Sequence, residues 1–154
     1  MDDKNRKEGR YSRIADQLDE LLKKPGNTLS KMATIAAVLH HKMDDFFWTG
    51  FYLLEISDLI AGPYQGPVAC QLLARNQGVC WSAVNKKETV IVPNVHDFPG
   101  HIACDGRSNS EIVIPVFDDQ QQVKAVLDID STKLNSFDET DKKGLEKIVA
   151  MIYR

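Results

Sequence analysis

The stretch Val123-Lys124-Ala125-Val126-Leu127-Asp128-Ile129-Asp130 sets Val123, Ala125, Leu127 and Ile129 on one side and Lys124, Val126, Asp128 and Asp130 on the other. Alternation with a period of two is the pattern of a β-strand. The first face is wholly apolar and must be covered by other elements. The second presents two carboxylates pointing the same way. Just upstream, residues 111–117 form another apolar run, and Asp118-Asp119-Gln120-Gln121-Gln122 is a polar turn between the two, so the spacing predicts an antiparallel hairpin. Glu111 opens the first strand of that hairpin. A register that sets it against the end of the second strand adds a third carboxylate to the same face.

Working outward, Ser136-Phe137-Asp138-Glu139 reads as a capping box, followed by Leu145, Ile148, Val149 and Ile152 at helical spacing. Further strand-like runs lie at 48–56, 70–73 and 89–92. Towards the N-terminus, Asn27 or Thr28 can cap a helix whose stripe is Leu29, Met32, Ala33, Ala36, Leu39 and Met43. Tyr11, Ile14, Ala15, Leu18, Leu21 and Leu22 mark an earlier helix that Pro25-Gly26 ends. Residues 1–10 are charged and are expected to be loose, leaving 11–154 as one domain. The order helix, helix, sheet, helix predicts an α+β fold: a mostly antiparallel sheet with helices from both termini packed on one face. Two connections, 57–68 and 93–110, are longer than such a domain needs, which favours function; the second holds His96, His101 and Cys104.

At 154 residues and 43% hydrophobic content the chain fits a single core. Its 22 acidic and 19 basic side chains are intermixed for a net charge of -3, which leaves no footprint for nucleic acid or an anionic membrane. No run approaches the roughly 20 apolar residues that span a bilayer. The charged N-terminus has no signal-peptide core, so a cytoplasmic location is expected.

Three cysteines in that compartment argue against a structural disulfide framework; they are reactive, metal-bound or simply buried. Cys70 and Cys80 stand in strand-like surroundings and are compatible with small core residues. Cys104 differs, because Gly100-His101-Ile102-Ala103-Cys104-Asp105-Gly106 is a polar segment where a thiol is reachable. A zinc set of His96, His101, Cys104 and a second cysteine competes, although it lacks a tight Cys-x-x-Cys pair. The three acids are either solvated surface groups or a cluster able to hold a metal ion or an ammonium group.

Several segments together resemble the GAF-domain free methionine-(R)-sulfoxide reductases. They are Trp48-Thr49-Gly50-Phe51-Tyr52, Gly62-Pro63-Tyr64-Gln65-Gly66, Gly78-Val79-Cys80, the run from Val92 through His96 and His101 to Asp105, Ser110-Glu111-Ile112-Val113-Ile114-Pro115 and Leu127-Asp128-Ile129-Asp130-Ser131. The resemblance runs from Tyr11 to nearly the end of the chain. It implies that Cys104 is the catalytic cysteine, that Cys70 matches the usual resolving partner, and that Cys80 matches a third cysteine that substitutes or assists. Spacing does not choose between Cys70 and Cys80. Trp48 and Tyr52 match the wall around the substrate methyl group, and Glu111, Asp128 and Asp130 match the acids that bind the amino group and assist proton transfer.

The implied chemistry is reduction of free methionine (R)-sulfoxide by a thiol, through a sulfenic acid and then a disulfide, with no metal or organic cofactor. Recycling by thioredoxin or a similar dithiol and a homodimeric state belong to the same expectation. The competing reading is a GAF sensory module that binds a small molecule or senses oxidants and signals to a partner.

Overall fold

Six strands and four helices make up the core of the computed structural model, which describes residues 2–101 and 104–154. Met1 of the expected loose segment, and Ile102 and Ala103 of the Cys104 segment, lie outside the described residues. The elements are α1 (Asp3–Leu21), α2 (Thr28–Lys42), β1 (Trp48–Glu55), β2 (Asp58–Gln65), β3 (Leu72–Leu73), α3 (Gly78–Lys86), β4 (Val90–Val92), β5 (Ser110–Phe117), β6 (Val123–Ser131) and α4 (Glu139–Val149). The sheet runs β3-β2-β1-β6-β5-β4 with every neighbouring pair antiparallel.

The alternation of β6 sorts the two faces as expected. Ala125, Leu127 and Ile129 join Phe51, Ile112 and Ile114 under α1, α2 and α4 in one core. Val126 joins Trp48, Tyr52 and Val113 in a second core on the opposite face. That second face is covered by α3, whose Val79, Cys80, Trp81 and Ala83 point into it. Cys80 is therefore on a helix and not in a strand. The residues 57–68, expected as a long loop, contain β2. Tyr64 pairs with Gly50 and Ala61 with Tyr52, so Gly62 and Pro63 bulge opposite Phe51. A bulge is where a strand tolerates a proline, because no ladder hydrogen bond is asked of it.

The N-terminus also departs from expectation. Residues 3–10 are helical, because Asp2 caps α1 by accepting from the Asn5 amide at 2.7 Å and Lys7 reaches Asp141 of α4 at 2.7 Å. Asp138, two residues after Ser136, caps α4 and closes its box with Asp141. Asp141 is buried and also accepts from the Tyr11 hydroxyl at 2.6 Å. Gly144 lets the Tyr11 ring lie against α4, since a Cβ there would stand 2.5 Å from the ring. Tyr11→Phe is expected to cost about 1.5–3 kcal/mol, the range for a hydrogen bond to a charged group. The readout is a lower urea midpoint at unchanged slope; an unchanged midpoint would mean that Lys7 and the helix cap satisfy Asp141 alone.

Candidate active site

The antiparallel register gathers the acids. Asp130 lies between Trp48 of β1 and Glu111 of β5, and Asp128 lies between Gly50 and Val113. All three carboxyls thus rise from adjacent strands on the α3 face. They are not solvated surface groups. Glu111 is 5% exposed, Asp128 6%, and Asp130 is partly buried. Cys80 comes down from α3 onto them, and its sulfur and one oxygen each of Glu111 and Asp128 lie within 4.8 Å of one another.

Beside them stands an aromatic wall. Trp48 is stacked between Tyr52, 5.8 Å away between centroids, and Tyr64, 5.1 Å away. Gly50 makes this stack feasible: a Cβ there would lie 2.7 Å from the Trp48 ring and overlap Tyr64. Trp48 Nε1 donates to the Pro67 carbonyl at 3.0 Å, and the Tyr52 hydroxyl donates to the Cys70 carbonyl at 3.0 Å.

A disulfide between Cys70 and Cys104 closes over this wall, with Cα atoms 5.5 Å apart, within the usual range of about 4.4–6.8 Å. Cys80 is the free cysteine and is buried. The Cys104 loop is held by Arg107, which pairs with Asp105 through two contacts of 2.9 and 2.7 Å. The Arg107 guanidinium also lies 4.8 Å over the Phe47 ring. Trp48, Tyr52, Cys80, Cys104, Glu111, Asp128 and Asp130 all line one cavity. His101 reaches that cavity, whereas His96 instead bonds Asn109 at 2.9 Å. Among the described residues, the donor set close enough for a single cation is Cys80, Glu111 and Asp128, not the competing set of His96, His101 and Cys104.

Electrostatics at the floor of the cavity are those of buried acids with too little compensation. Burial, followed by repulsion from Asp128 and Asp130, pushes the Glu111 carboxyl well above the usual range. Asp130 is raised by burial and then by Asp128 and Asp105. Asp128 is raised by burial, partly opposed by its contacts with Glu111 and Cys80. Burial and the neighbouring acids also push the Cys80 thiol far up, so it stays protonated. Asp128 Oδ1 has no hydrogen-bond partner among the described residues. A buried carboxylate oxygen left so is open to a donor.

Two contributors escaped the sequence reading. Tyr64 backs Trp48, although it sits in a quoted motif. The start of α3 also lines the cavity through Gln77, Gly78 and Val79, and no side chain caps its first turn. Free amides at a helix start attract anions. Gly78 and Val79 belong to a segment that carries the resemblance, but the helix start itself gave no signal, because Gln77 caps it without a side-chain hydrogen bond.

A six-stranded antiparallel sheet with terminal helices on one face and a small-molecule cavity on the other defines a GAF-type domain, and the GAF domain model matches residues 27–152. The GAF domain-containing protein A of Dictyostelium discoideum is 43% identical over 150 residues, covering 97% of this chain and 94% of that protein. The free methionine-R-sulfoxide reductase of Escherichia coli K12 is 39% identical over 142 residues, covering 92% and 86%. The X-ray structure of free methionine-R-sulfoxide reductase from Neisseria meningitidis, in complex with its substrate, superposes with a TM-score of 0.88 at 37% identity, covering 93% and 86%. The chain belongs to this family of GAF-domain free methionine-R-sulfoxide reductases.

Proposed function

We propose that the protein reduces free methionine (R)-sulfoxide to methionine, with Cys104 as the nucleophile. The observation that carries this reading is the juxtaposition of a Cys70–Cys104 disulfide with a cavity whose floor is three under-compensated carboxyls and whose wall is aromatic. A sulfoxide amino acid supplies what that cavity lacks. Its ammonium gives the acids donors, Asp128 Oδ1 included. Its methyl group packs on Trp48 and Tyr52. Its carboxylate suits the free amides at the start of α3.

In the first step the Cys104 sulfur attacks the sulfoxide sulfur, and the oxygen passes to Cys104 as a sulfenic acid. The sulfoxide sulfur gains two electrons and Cys104 loses two. The departing oxygen needs a proton, and Glu111 or Asp130, both held protonated by burial, can deliver it. The ammonium, once bound, also relieves the repulsion that carboxylates exert on a nearby thiolate. In the second step the Cys70 thiol displaces hydroxide from the sulfenic acid, forming the disulfide and water. A dithiol of thioredoxin type then exchanges with the disulfide and restores both thiols. Cys80, protonated where α3 sets it against the acids, is poorly suited to resolve and acts as part of the cavity lining.

The test is consumption of free methionine sulfoxide by the reduced protein, with R and S epimers assayed separately and a dithiol as reductant. Turnover of the R epimer with the S epimer left intact is expected. No turnover of either epimer by folded, reduced protein would shift the reading to a ligand-sensing GAF module.

A further inference from the structure

The segment that carries Cys70 is held in an unusual way. Its two ends are fixed by the sheet: Gly66 packs against Phe47 and Trp48, where a Cβ would stand 2.8 Å from the Phe47 carbonyl, and the Gln71 carbonyl accepts from the Ala61 amide at 2.8 Å. Between them, residues 67–70 lie in no strand, and Val68 is 84% exposed. Among the described residues, the hydrogen bonds that tie this stretch down come from two side chains of β1. Trp48 Nε1 holds the Pro67 carbonyl, and the Tyr52 hydroxyl holds the carbonyl of Cys70 itself, each at 3.0 Å.

We propose that Tyr52 is a positioning residue for the resolving step: its hydroxyl fixes the Cys70 backbone where the Cys70 sulfur meets Cys104. This rests on the reading above that Cys70 resolves a sulfenic acid on Cys104, and it gives the aromatic wall a second task beyond enclosing a methyl group. The hydroxyl is suited to it. Burial and the neighbouring Asp128 push the phenol far above its ordinary value, so it remains a donor throughout the physiological range. Tyr52 is also 3% exposed and stacked on Trp48, so its ring has little freedom to swing the hydroxyl away. A disulfide forms only when the two backbones approach within a narrow window, and a loop stretch without ladder bonds samples that window rarely unless something holds it.

The balanced step at issue is Cys70–SH + HO–S–Cys104 → Cys70–S–S–Cys104 + H₂O, a condensation in which the Cys70 sulfur displaces hydroxide and the freed thiol proton completes the water. It is isolated in single-turnover experiments on the full, reduced chain. Methionine formation reports the first step, and trapping of the sulfenic acid by a cyclic dione against time reports the second. In Tyr52→Phe, which keeps the ring and removes only the donor, the ratio of the resolving rate to the first-step rate is expected to fall about tenfold, the effect of one neutral hydrogen bond. The trapped sulfenic acid should rise in proportion. An unchanged ratio, including equal slowing of both steps, would overturn the proposal and leave Tyr52 as a wall residue.

Hydrogen peroxide provides a second arm, because it oxidises the Cys104 thiol to the sulfenic acid, with release of water, and needs neither the acids nor the aromatic wall to bind a methionine. Slower disulfide formation after peroxide in Tyr52→Phe supports the positioning role even if methionine sulfoxide proves not to be the substrate. An equal rate in that arm overturns it whatever the substrate is.

Discussion

Cys104→Ser is expected to lower turnover of free methionine (R)-sulfoxide by roughly ten-thousandfold or more, the scale on which removal of a nucleophile acts in enzymes that form a covalent bond to the reacting group. A serine hydroxyl is far less nucleophilic and cannot accept the oxygen as a stable sulfenic acid. The variant is informative because another thiol lies in the same cavity. Cys80 is within reach of the acids proposed to hold the substrate, and a rescue through it is the obvious objection. Its environment argues against rescue. An ordinary cysteine is a few per cent thiolate at pH 7, and each unit by which the pKa rises removes a further factor of about ten. Cys80 is raised first by burial and then by Asp128, Glu111 and Asp130. Cys104 is exposed and sits on a loop beside the Asp105–Arg107 pair. If Cys104→Ser kept activity within tenfold of the parent and Cys80→Ser abolished it, the nucleophile would be Cys80 and the Cys70–Cys104 bridge would be a structural clasp.

The site was legible in the sequence where the period of the chain was unambiguous. The alternation of β6 placed Asp128 and Asp130 on one face, and the polar turn at 118–122 made the hairpin that sets Glu111 against Asp130. Burial of the acids was not legible. It comes from α3, which showed none of the usual helix signals: Gln77 caps it without a side-chain hydrogen bond, Gly78 opens it, and Lys87 ends it in a left-handed conformation (φ 56°) where glycine is usual. At nine residues it is also too short for a periodic stripe to be distinctive. β2 was hidden for a different reason. Gly62-Pro63 reads as a turn, and only the pairing with β1 reveals the bulge that absorbs it. Residues 3–10 hold no large apolar side chain, so a hydrophobic pattern cannot detect their helix, which is held by a cap and by the reach of Lys7 to Asp141. The Cys70–Cys104 pairing, on which the proposed resolving role of Cys70 rests, was not legible either, since spacing does not show that α3 turns Cys80 inward.

The double variant Glu111→Gln, Asp128→Asn is expected to lower kcat/KM for the free sulfoxide by about a hundredfold to ten-thousandfold, while making the substrate-free protein more resistant to denaturation at neutral pH. The first effect follows from two charged hydrogen bonds to the ammonium at about 1.5–3 kcal/mol each. An N-acetylated substrate has no ammonium to lose, so the parent's preference for the free amino acid over its N-acetyl derivative should collapse by the same factor. The second effect follows from linkage. Both carboxyls are raised above their unfolded values, near 4, so between those values and the folded ones the native state holds protons that the unfolded state has released. Stability therefore falls as pH climbs from about 4 through the folded values. The amides remove that loss, so the denaturation midpoints of parent and variant should agree at acid pH and diverge upward in favour of the variant as pH rises. Such a trade of stability for function is common where a site must hold charge ready for a ligand. A variant that lost activity and stability together at every pH would show that the acids serve the fold, and would remove the ammonium from the account of why this cavity prefers a free amino acid.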